Sequence, residues 1–208
     1  MNKIIFLDTV TTGMNHEKCA IYRIGGIIAE NGEERTRFEF RVRPFPYARI
    51  ADSSLYICGE SRATLNEYPD QKVAFDAFID MLSKHVNIKN PYEKLYIGGY
   101  NVAAFDIPFL REWFRRNGNN RFRDYFHAQP IDIMSIAAFA LLNERRGMPD
   151  FHLETVAKHF NIRTMSQDVY NCVSNAKICL DLFRKLQYNF GLAETENTEA
   201  AEEYIKNF

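Results

Sequence analysis

The chain has 208 residues, 46% of them hydrophobic and 25% charged, the size and balance of one globular domain with a full core. Its formal net charge of −1 excludes a general electrostatic pull toward nucleic acid or membrane and leaves that work to local patches. No apolar run is long enough to span a bilayer, and Met1-Asn2-Lys3 leads straight into a strand pattern with no small-residue cleavage site, so a cytoplasmic protein is expected.

In chain order, residues 3–7 form a short apolar run rich in β-branched and aromatic side chains, which predicts a strand leading into the turn Thr11-Thr12-Gly13. Asp8 then falls at the carboxyl end of a buried strand, where α/β sheets gather their chemistry; the alternative is an edge strand running into a polar turn. Residues 19–29 predict a second strand, Asn31-Gly32 a hairpin and residues 34–44 a third strand. There Phe38, Phe40 and Val42 face one side and Arg35, Arg37, Arg41 and Arg43 the other, a row that reads as a solvated face rather than a nucleic-acid track. Residues 44–69 are expected to be mostly irregular. Residues 71–86 predict a helix whose stripe of Val73, Phe75, Phe78, Ile79, Leu82 and Val86 meets the core.

Residues 95–102 read as another strand. A helix follows from near Phe105, with Pro108 tolerated in its first turn and Asp106 favoured there by the macrodipole with or without a function. Arg111, Arg115, Arg116, Arg121 and Arg123 make the densest basic cluster, either a solvated helix end or a contact for phosphates. Residues 131–145 predict a mostly buried helix. In the short helix of residues 151–160, His152 and His159 share a face and read as structural polar residues, since no third ligand is spaced with them. The four cysteines, Cys19, Cys58, Cys172 and Cys179, have no Cys-x-x-Cys spacing and sit in apolar contexts, as buried free thiols do. Residues 1–190 are expected to form the domain, with 191–208 an acidic tail.

Three phrases carry a resemblance. Asp8-Thr9-Val10-Thr11-Thr12-Gly13 resembles Asp-x-Glu-Thr-Thr-Gly, the first motif of the DnaQ-like 3′–5′ exonucleases of the DEDDh class, with Val10 at the glutamate position. Asn101 through Phe105, Asp106, Phe109 and Leu110 resembles the second motif, Asn-x-x-Phe-Asp-x-x-Phe-Leu, with one residue inserted before Phe105. Tyr170-Asn171-Cys172-Val173-Ser174-Asn175-Ala176 occupies the slot of the third, His-x-Ala-x-x-Asp-Ala, with Tyr170 at the histidine and Asn175 at the aspartate. A sister branch with Tyr-x-x-x-Asp is not matched, because position 174 is serine. Residues 54–62 resemble the stretch that lies beside the groove in these nucleases. The resemblance covers most of residues 1–190 and implies an RNase H-like fold of the α/β class: a mixed five-stranded sheet flanked by helices.

It also implies a reaction: metal-dependent hydrolysis of the terminal phosphodiester of a nucleic-acid 3′ end, with two Mg²⁺ or Mn²⁺ ions clamping the phosphate. Asp8 would bridge both ions, positions 10 and 175 would complete the first shell, Asp106 would support the second ion through water, and position 170 would supply the base. Val10 offers no oxygen, Asn175 offers one neutral carbonyl, and an unperturbed tyrosine at 170, with a pKa of about 10, is a poor base near neutrality. Asp8 and Asp106 remain, enough to hold one hydrated ion weakly. One expectation is a catalytically inactive pseudo-exonuclease that binds a single-stranded DNA or RNA 3′ end or a protein partner. Thr11, Thr12, Met14 and Asn101 would then meet the terminal nucleotide, and Arg111 and Arg115 the phosphates. The other is an active metal-dependent 3′–5′ exonuclease with a rearranged site that borrows Asp168 or Asp181.

Overall fold

The computed structural model describes residues 2–164 and 171–192. Tyr170, Asp168 and residues 193–208 of the expected tail lie outside the described residues. Three strands, β1 (Lys3–Thr11), β2 (Ile21–Glu30) and β3 (Glu33–Arg41), form an antiparallel meander, and β4 (Tyr96–Gly99) and β5 (Ile131–Asp132) add in parallel on the other side of β1. The order β3-β2-β1-β4-β5 makes β1 the central strand, not an edge. The β2–β3 turn works because Asn31 and Gly32 both take positive φ, 52° and 83°, which matches the twist of the flanking strands.

β1 alternates. Ile5 and Leu7 face one core layer with α3 (Gln71–Ser83), α4 (Asp106–Arg116) and α5 (Phe122–Tyr125). Ile4 and Phe6 face the other, with α6 (Ile133–Ala140), α7 (Leu153–His159) and α8 (Cys172–Asn189). The result is the mixed five-stranded sheet with flanking helices that the motifs imply. β1 pairs with β4 only from Ile4 to Phe6 but with β2 as far as Thr11. Asp8 is therefore mid-strand toward β2, yet lies just past the last paired rung toward β4. That step, where β1 runs on past β4 beside Asp8, is called the notch below.

Several boundaries differ from the sequence reading. Residues 44–69 are not mostly irregular: they contain α1 (Asp52–Ile57) and α2 (Arg62–Glu67), whose Leu55 and Leu65 bury against Tyr22 and Tyr68. Ser61 caps α2 by accepting from the Thr64 N–H. On α3, Val73 is 63% exposed rather than in the stripe. The strand expected at 95–102 stops at Gly99, because Asn101 turns the chain with φ of 60°. The helix expected at 131–145 begins as β5, ends at Ala140, and leaves Phe139 and Leu142 on the surface. His152 is the N-cap residue of α7 and His159 pairs with Glu144 at 2.8 Å. The arginines of β3 are exposed, and Arg37 forks onto Glu34 at 2.9 and 3.0 Å. The four cysteines are free thiols, with Cys58 half-buried and the others buried.

Candidate active site

The site forms where the notch in the sheet meets the first turns of α4 and α8. Phe105 caps α4 without a side-chain bond, and Asp106 follows it into a position only 2% exposed. There Asp106 Oδ1 accepts from both the backbone N–H of Thr9, at 2.9 Å, and the Thr9 hydroxyl, at 2.7 Å. On the opposite side, Asn171 caps α8 by accepting from the N–H groups of Val173 and Ser174 at 3.1 Å each. The capped turn projects Cys172 and Asn175 toward Asp8. It can approach because β2 carries Gly25 opposite Asp8; a Cβ there would lie 2.8 Å from Cys172 Cβ.

Asp8 is half-buried. Its Oδ2 accepts from Asn175 Nδ2 at 3.2 Å, and the Cys172 thiol bonds to it as well. Desolvation pushes its carboxyl up to about 6; the bonds from Asn175, Cys172 and Thr9 hold it down, and the charge of Glu154 on α7 adds to the rise. Burial raises Asp106 well above the ordinary carboxylate range, and the Asp8 charge raises it further. Burial likewise lifts the Cys172 thiol, which excludes it as a thiolate nucleophile.

The remaining candidates fall as follows. Val10 packs against the cluster of Tyr22, Leu55, Leu65 and Tyr68. Beside it, its cross-strand partner Arg23 pairs with Glu60 at 2.5 Å, and the Tyr68 hydroxyl donates to the same carboxylate at 2.6 Å. Thr11 and Thr12 are buried and their hydroxyls shape the turn: Thr11 donates to the Gly13 carbonyl at 2.8 Å, and Thr12 donates to the Arg49 carbonyl at 2.7 Å. Met14, which follows this turn, is 81% exposed and begins an exposed run from 14 to 18. Asn101 holds the β4–α4 turn, its carbonyl accepting from the Phe105 N–H. Arg115 forks onto Glu112 at 2.6 and 2.7 Å, and Arg111 lies 5.1 Å over the ring of Phe122. Asp181 is tied to Lys177 at 2.5 Å and lies 3.6 Å from Arg184. Arg184 reaches the Gly32 carbonyl at the far end of the sheet. Asp181 is not available to Asp8.

Three contributors escape a reading of local pattern. Thr9 and Cys172 act through bonds to acids distant in sequence, and periodicity marks residues 151–160 as a helix without distinguishing Glu154. Its place near the start of a helix that packs against α8 was the available signal.

A two-ion clamp needs a shell of oxygens around Asp8. Among the described residues no group of three or more His, Cys, Asp or Glu side chains converges to hold a metal. Asn175 turns its amide N–H to Asp8, so it presents a donor rather than an oxygen to that carboxylate, and its buried Oδ1 has no hydrogen-bond partner. The described side chains do not fit a pair of Mg²⁺ or Mn²⁺ ions.

Residues 5–164 match the family model described as exonuclease (RNase_T). Among solved structures, the chain is similar to E. coli exonuclease I in complex with a dT13 oligonucleotide, with TM-score 0.71 and 19% identity over 92% of this chain and 43% of that one. The zinc-bound form of the exonuclease I–single-stranded DNA complex gives TM-score 0.72 and 18% identity over 91% and 41%. A product-bound exonuclease I gives 0.70 and 18% over 90% and 44%. This chain spans less than half the length of each. A search of curated proteins finds no match. The fold is the RNase H-like fold of these nucleases, and with its family match running through both Asp8 and Asp106, the chain belongs to the exonuclease family.

Proposed function

We propose that this protein is a catalytically silent member of its family that holds the 3′ end of single-stranded DNA or RNA without cutting it. The observation that carries the reading is the bond from Asn175 Nδ2 to Asp8. An amide hydrogen faces the carboxylate that the family resemblance makes the shared ligand of both ions, and Val10 adds no oxygen beside it. Residues 1–190 would make up the exonuclease domain of a cytoplasmic protein, with 191–208 as a tail. The terminal nucleotide would lie in the notch between Met14 and the β4–α4 turn at Asn101, held through the strand and not through a metal. Single-stranded DNA, the ligand of the similar exonuclease I complexes, supports a nucleic-acid end over a protein partner.

The test is a labelled oligonucleotide incubated with Mg²⁺ and with Mn²⁺. No shortening is expected. Metal-dependent laddering from the 3′ end that disappears in Asp8→Ala would overturn the proposal. The second reading is an active enzyme with a rearranged site, and Glu154 on α7, whose charge adds to the rise in the Asp8 carboxyl, is the described acid to test in it. Laddering that is lost in Glu154→Gln would establish that reading.

A further inference from the structure

We infer that the strand upstream of the 3′ end runs across the outer face of α4 and occupies a cavity there of about 580 Å³. The inference rests on the proposal that a nucleic-acid 3′ end lies in the notch, and it adds the path and the contacts of the nucleotides behind it.

The cavity lies along α4, the helix whose first residue is Asp106. Ala103 and Ile107, two of its lining residues, flank Asp106 in the chain. The Ala103 N–H is fixed by Asp132 Oδ2 at 3.0 Å, so this lip is held to the sheet through β5. The lining also takes in Arg111, Glu112 and Arg115 of α4, together with Phe122 and His127. The volume lies in the range of sites that enclose small organic ligands, large enough to take a nucleotide unit rather than a lone ion.

Its charge suits a phosphodiester. Glu112 is the one carboxylate of the lining, and it is already engaged by Arg115 at 2.6 Å and by Arg116 at 2.8 Å. Arg111 is exposed, rests on the Phe122 ring and has no ion pair among the described residues. A guanidinium held over a ring face without an acidic partner keeps N–H donors for phosphate oxygens. His127 stacks on Tyr96 with centroids 4.1 Å apart and planes 21° from parallel, which makes a rigid aromatic wall. A cationic track beside aromatic walls is how proteins hold single strands without reading sequence. The arginines of β3 offer no comparable track: Arg35 and Arg37 face carboxylates of their own hairpin.

The test compares a dinucleotide with a twelve-nucleotide oligothymidylate by fluorescence anisotropy, using the unaltered full chain, Arg111→Ala/Arg115→Ala, and Arg35→Ala/Arg37→Ala as control. All four arginines are exposed, and equal melting temperatures confirm that the variants fold. The long strand is expected to lose about tenfold in affinity in the α4 variant, with a salt slope shallower by about 0.7 for each lost phosphate contact. The dinucleotide and the β3 variant should show no change. A 4-thiothymidine third from the 3′ end should crosslink to the peptide holding Phe122 and His127, and one at the end should crosslink near Met14. Equal long-strand affinity in the α4 variant, or a third-position crosslink elsewhere, overturns the path and leaves the proposed function standing. Failure of the unaltered protein to bind either strand overturns both.

Discussion

At the scale of the residue, the chemistry turns on a carboxyl that titrates near 6 in the folded chain instead of near 3.8. The folded state binds that proton more tightly than the unfolded chain does. The stability Asp8 contributes is therefore fully present below pH 3.8 and is lost as pH rises through about 6, at a cost of at most about 3 kcal/mol by neutrality. Asp8→Asn should remove the dependence: it should melt higher than the unaltered protein at pH 7, with the gap closing toward pH 4. A pH series of denaturant unfolding checks this. An equal gap at both ends of the series would mean that the rise in Asp8 does not bear on folding. Val10 poses the complementary question. Val10→Glu places a carboxylate against Leu55 and Tyr22, beside an Arg23 already paired with Glu60, and is expected to destabilise by about 1–3 kcal/mol. Combined with Asn175→Asp and Tyr170→His, it should produce a melting temperature that rises with Mn²⁺ and falls again with EDTA.

At the scale of the element, the candidate site depends on how closely α8 approaches the sheet, and glycine sets that distance. At Gly25 an added methyl would meet Cys172 Cβ at 2.8 Å and Val173 Cγ2 at 3.2 Å. Gly25→Ala is expected to destabilise by about 1–3 kcal/mol and to lengthen the contact between Asn175 and Asp8, seen as a changed amide resonance for Asn175 by NMR. A neutral Gly25→Ala would show that α8 has slack at its first turn. The elements also show which information is local. The hairpin at Asn31-Gly32, the start of α4 and the register of α8 were legible because each is written in adjacent residues. The short helices between residues 44 and 69 were not, since their burial depends on Tyr22 from another strand. The clamp of Thr9 on Asp106 joins residues 97 apart in the chain, and no periodicity encodes such a pair.

At the scale of the whole molecule, the motifs gave the fold through their order along the chain, and β1 sits at the centre of the sheet as a consequence. What they left open was the direction in which each site atom points. The resemblance implied that Asn175 lies beside Asp8, but that its amide donates there depends on the turn capped by Asn171. On the reading proposed here, millimolar Mg²⁺ or Mn²⁺ should leave the melting temperature unchanged, because an ion stabilises only in proportion to its preference for the native state. A rise of several degrees that EDTA reverses would contradict it. No described helix is long and apolar enough to cross a membrane.

The bond from Asn175 to Asp8 has a kinetic consequence. A working nuclease stays on a given 3′ end only until the bond is cut, so turnover limits each encounter. With an amide hydrogen facing the acid, on the proposed reading, dissociation alone ends the encounter, and its lifetime is the same in chelator as in magnesium. Such a protein would act as a cap, shielding an end from active nucleases for as long as its off-rate allows.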